Sequence, residues 1–238
     1  MALILTTGGN NVAAAAKAAT ATIPIVSNFG ADPVLNGLVA SLNRPDGNLT
    51  GISRFTSELL PKRLELLCQV APNATVIGFL VDPANSLVES DTKDVQAAAR
   101  ALGRQVQVVR ASTVPEIEAT FTTLVELRVG ALLIENRTFF NSRSEQLGRL
   151  TLRHAMPAIH TVREFVVSGG LMSYAPSLAD VYRQVGVYAA RVLKGEKPAN
   201  LPVQQATRIE FVINLKTAKA LGVTVPLPLL GFADEVIE

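Results

Sequence analysis

The feature that most constrains this chain is a rhythm: short runs rich in Val, Ile and Leu alternate with Ala-rich amphipathic stretches along its length. That alternation is what βα units around a parallel sheet require. A strand covered by helices on both faces is apolar throughout, whereas each covering helix is apolar along one stripe only. The predicted class is therefore α/β. Strands are predicted over residues 3–5, 23–26, 49–53, 76–81, 106–110, 131–135, 157–161, 171–174 and 209–213. Helices are predicted over 12–20, 33–42, 58–70, 86–102, 114–127, 142–154, 178–193 and 215–221, followed by a tail carrying Pro226 and Pro228.

A chain of 238 residues is near the size at which one hydrophobic core divides into two. The turn-forming string Leu42-Asn43-Arg44-Pro45-Asp46-Gly47-Asn48 interrupts the rhythm, and a regular second series starts at residue 76. Helix 58–70 is read as a crossover. The expected division is a first lobe of 1–74 plus 195–238 and a second lobe of 75–194. The first holds fewer strands before the crossover than the second, so it is expected to be incomplete. Its strand 3–5 is expected to present an unpaired edge, through which a homo-oligomer would form.

Several function classes are excluded by composition. The 22 basic and 20 acidic residues are scattered, without the basic stripe that neutralises a phosphate backbone. No apolar run approaches the ~18 residues needed to cross a bilayer. Cys68 is the single cysteine and lies in an apolar pattern with Leu64, Leu66, Leu67 and Val70, which reads as a buried thiol rather than a nucleophile. Gly8-Gly9 is not followed by the Lys-Ser/Thr pair of a phosphate-binding loop, and His154 and His160 have no nucleophile or carboxylate in a recognised spacing. No catalytic residue, metal or cofactor is expected. Residues 1–7 show neither the basic start nor the long apolar run of an export signal.

Ligands of open parallel sheets sit at the carboxyl ends of strands, where helix N-termini offer free N–H groups. This selects the loops 6–11, 27–33, 82–86, 136–141 and 173–177. Asn85 and Ser86 read either as caps of the following helix or as ligand groups. Asp32, followed by Pro33, reads equally as an N-cap and as a partner for a ligand ammonium. Phe29, Phe139, Phe140 and Tyr174 fall in these loops of a chain with 5% aromatics, where they line a pocket or pack in the core.

The strings Ala40-Ser41-Leu42-Asn43-Arg44-Pro45-Asp46-Gly47-Asn48-Leu49-Thr50-Gly51 and Lys62-Arg63-Leu64-Glu65-Leu66-Leu67 resemble those of ABC-transporter substrate-binding proteins related to aromatic amino-acid receptors. Phe139-Phe140-Asn141-Ser142-Arg143, Gly169-Gly170-Leu171-Met172-Ser173-Tyr174 and residues 211–222 resemble the same family. The resemblance implies two Rossmann-like lobes of the type I periplasmic-binding-protein plan, joined by three crossovers, with a small molecule trapped between them by hinge closure. It implies a periplasmic receptor that serves a transporter permease, with two βα units and an export signal ahead of what this chain begins with. It places ligand contacts at Thr7, Asp32, Asn85, Ser86, Asn136 and Tyr174, with Phe29, Phe139 or Tyr174 against an aromatic side chain. A ligand-sensing regulatory domain shares the plan but needs a DNA-binding segment that is not read here. A two-lobed α/β enzyme such as a racemase needs a cysteine pair, and Cys68 stands alone.

Overall fold

The structure is a computed structural model and describes residues 2–85 and 87–238. In chain order its elements are β1 (Ile4–Thr6), α1 (Asn10–Ala19), β2 (Ile25–Phe29), β3 (Leu49–Ser53), α2 (Leu60–Val70), β4 (Val76–Val81) and α3 (Val88–Ala101). There follow β5 (Gln105–Arg110), α4 (Val114–Glu126), β6 (Ala131–Ile134), α5 (Thr138–Asn141), α6 (Ser144–Arg153), β7 (Ala158–His160), α7 (Arg163–Val167) and β8 (Met172–Pro176). The chain closes with α8 (Leu178–Leu193), β9 (Gln204–Gln205), β10 (Ile209–Asn214), α9 (Leu215–Ala220), α10 (Leu227–Phe232) and β11 (Glu235–Ile237). None of the helices among the described residues is long and apolar enough to cross a membrane.

Two compact units result, one of Met1–Ser57 with Pro176–Ile209 and one of Glu58–Ala175 with Glu210–Glu238. The chain therefore passes from one to the other at 57–58, 175–176 and 209–210.

The first unit is a four-stranded sheet in the order β1-β2-β3-β9, with parallel pairing throughout. On one face, Val26 and Ile52 pack with Val181, Val185, Tyr188 and Val192 of α8. On the other, Ile25, Phe29 and Leu49 pack with Ala13 of α1 and with Leu38, Val39 and Val203. Both faces of β2 and β3 are thus covered, which is why their five residues are all buried. Gly51 is required at the centre of this sheet, since a Cβ there would stand 1.9 Å from the Ser27 carbonyl oxygen.

The second unit is a seven-stranded sheet in the order β11-β10-β8-β7-β6-β4-β5. Strand β4 pairs in parallel with β5 and β6, β6 with β7, β7 with β8 and β10 with β11. Its interior strand β6 is fully buried and carries four apolar residues, Ala131-Leu132-Leu133-Ile134. Leu132 and Ile134 belong to a large cluster with Phe121, Phe140, Leu147 and Phe165, contributed by α4, α5, α6 and α7.

These assignments correct the expected lobe boundaries. Helix α8 belongs with the first sheet rather than closing the second series, because its stripe Val181, Val185, Tyr188 and Val192 is buried against β2 and β3. Strands β10 and β11 extend the second sheet, so residues 210–238 do not return to the first unit. Helix α2 packs on α3, β6 and β7 and is a full member of the second unit. The helix expected over 33–42 is a series of turns. Asp32 Oδ1 accepts from the Val34 and Leu35 amides at 2.7 and 3.2 Å, and Gly37 at φ 65° stops the turn from propagating.

Candidate ligand-binding site

The carboxyl edge of the second sheet gathers a hydrogen-bonded polar cluster. Its centre is Glu135, the residue after the apolar run of β6, which is 2% exposed. Glu135 Oε2 accepts from the Asp82 amide at 2.8 Å, and Oε1 accepts from Asn85 Nδ2 in a very short contact. Asn85 Oδ1 in turn accepts from Arg137 Nη1 at 3.3 Å and from the Leu87 amide at 3.1 Å. Asp82 Oδ1 closes the turn by accepting from the Ala84 amide at 2.9 Å. Loss of water around Glu135 pushes its carboxyl up to about 7, against the Asp82 amide, the Asn85 amide and Arg137, with Asp91 adding to the rise.

Beside it, Asn136 Oδ1 accepts from Asn141 Nδ2 and from Thr161 Oγ1, each at 3.0 Å. This ties the loop after β6 to α5 and to the end of β7. Phe139 is half-buried, its ring 5.3 Å from that of Phe140, which is wholly buried. Tyr174, on β8, is 8% exposed and meets Phe211 edge-on at 5.9 Å.

His160 lies beneath this edge and is fully buried against Phe165 at 5.6 Å. Burial and the nearby Arg63 cation lower it to about 3, so the imidazole is neutral and serves as a core group. His154 stacks on Phe121 at 5.3 Å. Burial raises the Cys68 thiol, partly offset by Arg104, which leaves it un-ionised at neutral pH and a poor nucleophile.

The carboxyl edge of the first sheet is built differently. Thr6 Oγ1 donates to Ser27 Oγ at 2.8 Å in the interior. Asn10, opening α1, accepts from the Gly30 and Ala31 amides at 2.9 and 3.2 Å and so fixes the loop after β2 to the helix. Thr56 Oγ1 donates to the Gly30 carbonyl at 2.7 Å. Asn28 and Arg54 are 1% and 9% exposed, and Asn28 Oδ1, Asn28 Nδ2 and Arg54 Nε have no hydrogen-bond partner among the described residues.

The eight positions expected from the sequence thus fall into distinct environments. Asn85, Asn136, Phe139 and Tyr174 stand at the carboxyl edge of the second sheet, the first two within its hydrogen-bond cluster. Thr7 is exposed after β1, and Asp32 caps its own turn. Phe29 is a correction: its ring is 0% exposed inside the core with Ala13, Ile25 and Leu49, because the strand period turns it toward α1. Ser86 lies outside the described residues.

Glu135, Arg137 and Thr161 were missed, and so were Asn28 and Arg54. For Glu135 a signal exists in the sequence, a carboxylate ending the otherwise apolar string Ala131-Leu132-Leu133-Ile134. The partners of Thr161 and Arg137 lie 25 and 52 residues away and carry no local signal.

A "Tyrosine-binding protein" of Clostridioides difficile (strain R20291) is 29% identical over 211 residues, which is 88% of this chain and 60% of that relative. The chain thus spans 60% of the length of this curated relative. Among solved structures, an ABC domain in complex with L-Trp from Streptococcus pneumoniae matches with a TM-score of 0.86 and 27% identity, over 99% of this chain and 78% of that one. A conserved domain protein from Vibrio cholerae matches with a TM-score of 0.87 and 25% identity, over 98% and 78%. The α/β plan with parallel sheets is that of type I periplasmic binding proteins. The model of the ABC transporter substrate binding protein family matches residues 2–237, so the chain belongs to that family.

Proposed function

We propose that this protein is the receptor of an ABC importer for an aromatic amino acid, and that it acts by binding rather than by catalysis. The observation that carries the reading is the match to a substrate-binding family along residues 2–237, together with relatives named for tyrosine and solved with L-Trp. The neutral, core-packed His160 and the protonated, buried Cys68 thiol support a non-enzymatic role. Ligand contacts are proposed at Asn85, Ser86, Asn136, Phe139 and Tyr174 in the second unit and at Thr7 and Asp32 in the first.

In the same proposal, binding is accompanied by hinge closure, the closed state is what a permease reads, and the site of action is periplasmic. A ligand shifts such an equilibrium only by its differential affinity for the closed state. Self-association through β1 is included. That strand is the edge of its sheet, and Leu5 and Val12 beside it are 53% and 46% exposed without a charged residue on the strand itself.

The chain has no tryptophan, so bound L-tryptophan supplies the only indole signal. Titration followed by indole fluorescence, with calorimetry for tyrosine and phenylalanine, is expected to give saturable binding. A thermal-shift panel of the amino acids with no member stabilising the protein would remove the aromatic amino-acid assignment. A chain that sediments as a monomer at all concentrations would remove self-association.

A further inference from the structure

We infer that Arg54, with Asn28 beside it, is a receptor for the carboxylate of the ligand in the four-stranded unit. The inference rests on the small-molecule receptor reading above and names the ligand group that this unit recognises.

The placement follows from strand geometry. Val26 and Ile52 both face α8, and Asn28 is paired with Ile52 in the β2–β3 register. With a period of two, Asn28 shares the α8 face with Val26. The ladder continues past β3, since the Arg54 amide donates to the Phe29 carbonyl at 2.9 Å, so Arg54 follows Ile52 on that same face. Gly30 is the next position along this face after Asn28. A Cβ on it would stand 3.8 Å from Arg54 Nη2, so the guanidinium lies over a position that has no side chain. Asn28, Gly30 and Arg54 therefore form one continuous surface at the carboxyl edge of the sheet.

Among the described residues no ion pair neutralises this surface. Arg54 forms none, and its Nε has no hydrogen-bond partner among them. Asn28 is buried with both its amide nitrogen and its oxygen unpaired. Buried cations are retained when something pairs with them, and a buried amide without a partner is similarly costly. Burial also pulls the guanidinium pKa down, with Tyr182 of α8 acting in the opposite direction. Immediately after Arg54, Phe55 sits at φ 46°, a left-handed conformation that is rare for a bulky residue.

A planar anion fits these donors. The guanidinium offers a fork of N–H groups that matches two carboxylate oxygens, and the Asn28 amide adds one further donor and an acceptor. An amino acid supplies both the anion and, through its ammonium, a group for the acceptor.

The test is calorimetric titration of the full chain with L-tyrosine, tyramine, which lacks the carboxylate, and 3-(4-hydroxyphenyl)propanoate, which lacks the ammonium. Wild type is expected to bind the two carboxylates and to bind tyramine at least about tenfold more weakly than tyrosine. Arg54→Gln is expected to weaken both carboxylates by at least about tenfold and to leave tyramine unchanged, with Arg54→Lys recovering part of the loss. Unchanged tyrosine affinity in Arg54→Gln, or an equal loss for tyramine, overturns the assignment while the amino-acid reading stands. If tyrosine is not bound but 3-(4-hydroxyphenyl)propanoate binds through Arg54, the amino-acid reading falls and the carboxylate site stands.

Ligand-free stability provides a readout that does not depend on the choice of probe. Arg54→Gln removes an uncompensated cation and is expected to melt no lower than wild type. A clearly lower Tm would show that Arg54 has a structural partner within the protein and would overturn the proposal. So would a panel of carboxylates in which none stabilises wild type more than Arg54→Gln.

Discussion

The carboxyl edges of the two sheets resolve the same problem in opposite ways. At the edge of the seven-stranded sheet, Glu135 and Asn136 are answered by neighbours: Glu135 takes the Asp82 main-chain amide and the Asn85 side chain, and Asn136 takes Asn141 and Thr161. At the edge of the four-stranded sheet, Asn28 and Arg54 are as deeply placed but unanswered. The lesson is one of preorganisation. The first arrangement is a finished scaffold that holds a loop in shape, whereas the second carries a standing energetic deficit that an incoming anion would relieve.

Mutations that remove buried groups should expose this contrast most strongly. Glu135→Ala strips partners from the buried Asp82 amide and from Asn85, and is expected to cost about 2–4 kcal/mol in urea unfolding. Asn28→Leu, of similar depth, removes an unpaired amide and is expected to be neutral or mildly stabilising, within about 1 kcal/mol. Equal losses at the two positions would break the comparison.

A pH dependence of comparable size is expected from Glu135. Its folded-state pKa, about 7, lies above the usual carboxylate value, so the native state binds the proton more tightly than the unfolded chain. The stability it contributes is therefore full below about pH 4.3 and is lost as pH rises through 7, by at most about 4 kcal/mol. The difference in urea midpoint between wild type and Glu135→Gln, followed from pH 4 to 8, isolates this contribution. A difference that is flat, or in which wild type gains stability relative to Glu135→Gln as pH rises, would remove Glu135 from the set of perturbed groups.

The smallest expected effect is at Asn136. Replacement of the half-buried Asn136 by Ala loses the acceptor shared by Asn141 and Thr161, and is expected to cost about 1 kcal/mol by thermal unfolding. A larger loss would place Asn136 nearer the centre of the cluster than Glu135.

The rhythm of strand and helix is legible along most of the chain, and the strand-end rule selects Asn85 and Asn136, which lie at the edge of the second sheet. Failures occurred where local patterns carry no address. The apolar stripe of α8 is equally compatible with either sheet, and only packing against Val26 and Ile52 selects one. Phe29 falls by sequence in a strand-end loop, yet one residue of strand period separates a ligand wall from the core, and the ring belongs to the core. Glu135 was absorbed into its strand because a terminal carboxylate becomes informative only once its burial is known.

By itself the sequence determined the α/β class, the parallel arrangement that apolar strands and intervening helices impose, and the family, because periodicity and motif strings are local properties of the chain. Tertiary structure alone decided which sheet each late element joins and which polar groups are paired. Those outcomes depend on residues tens of positions apart meeting in space, as with Asn85 and Glu135 or Asn28 and Ile52, and no local pattern encodes such meetings.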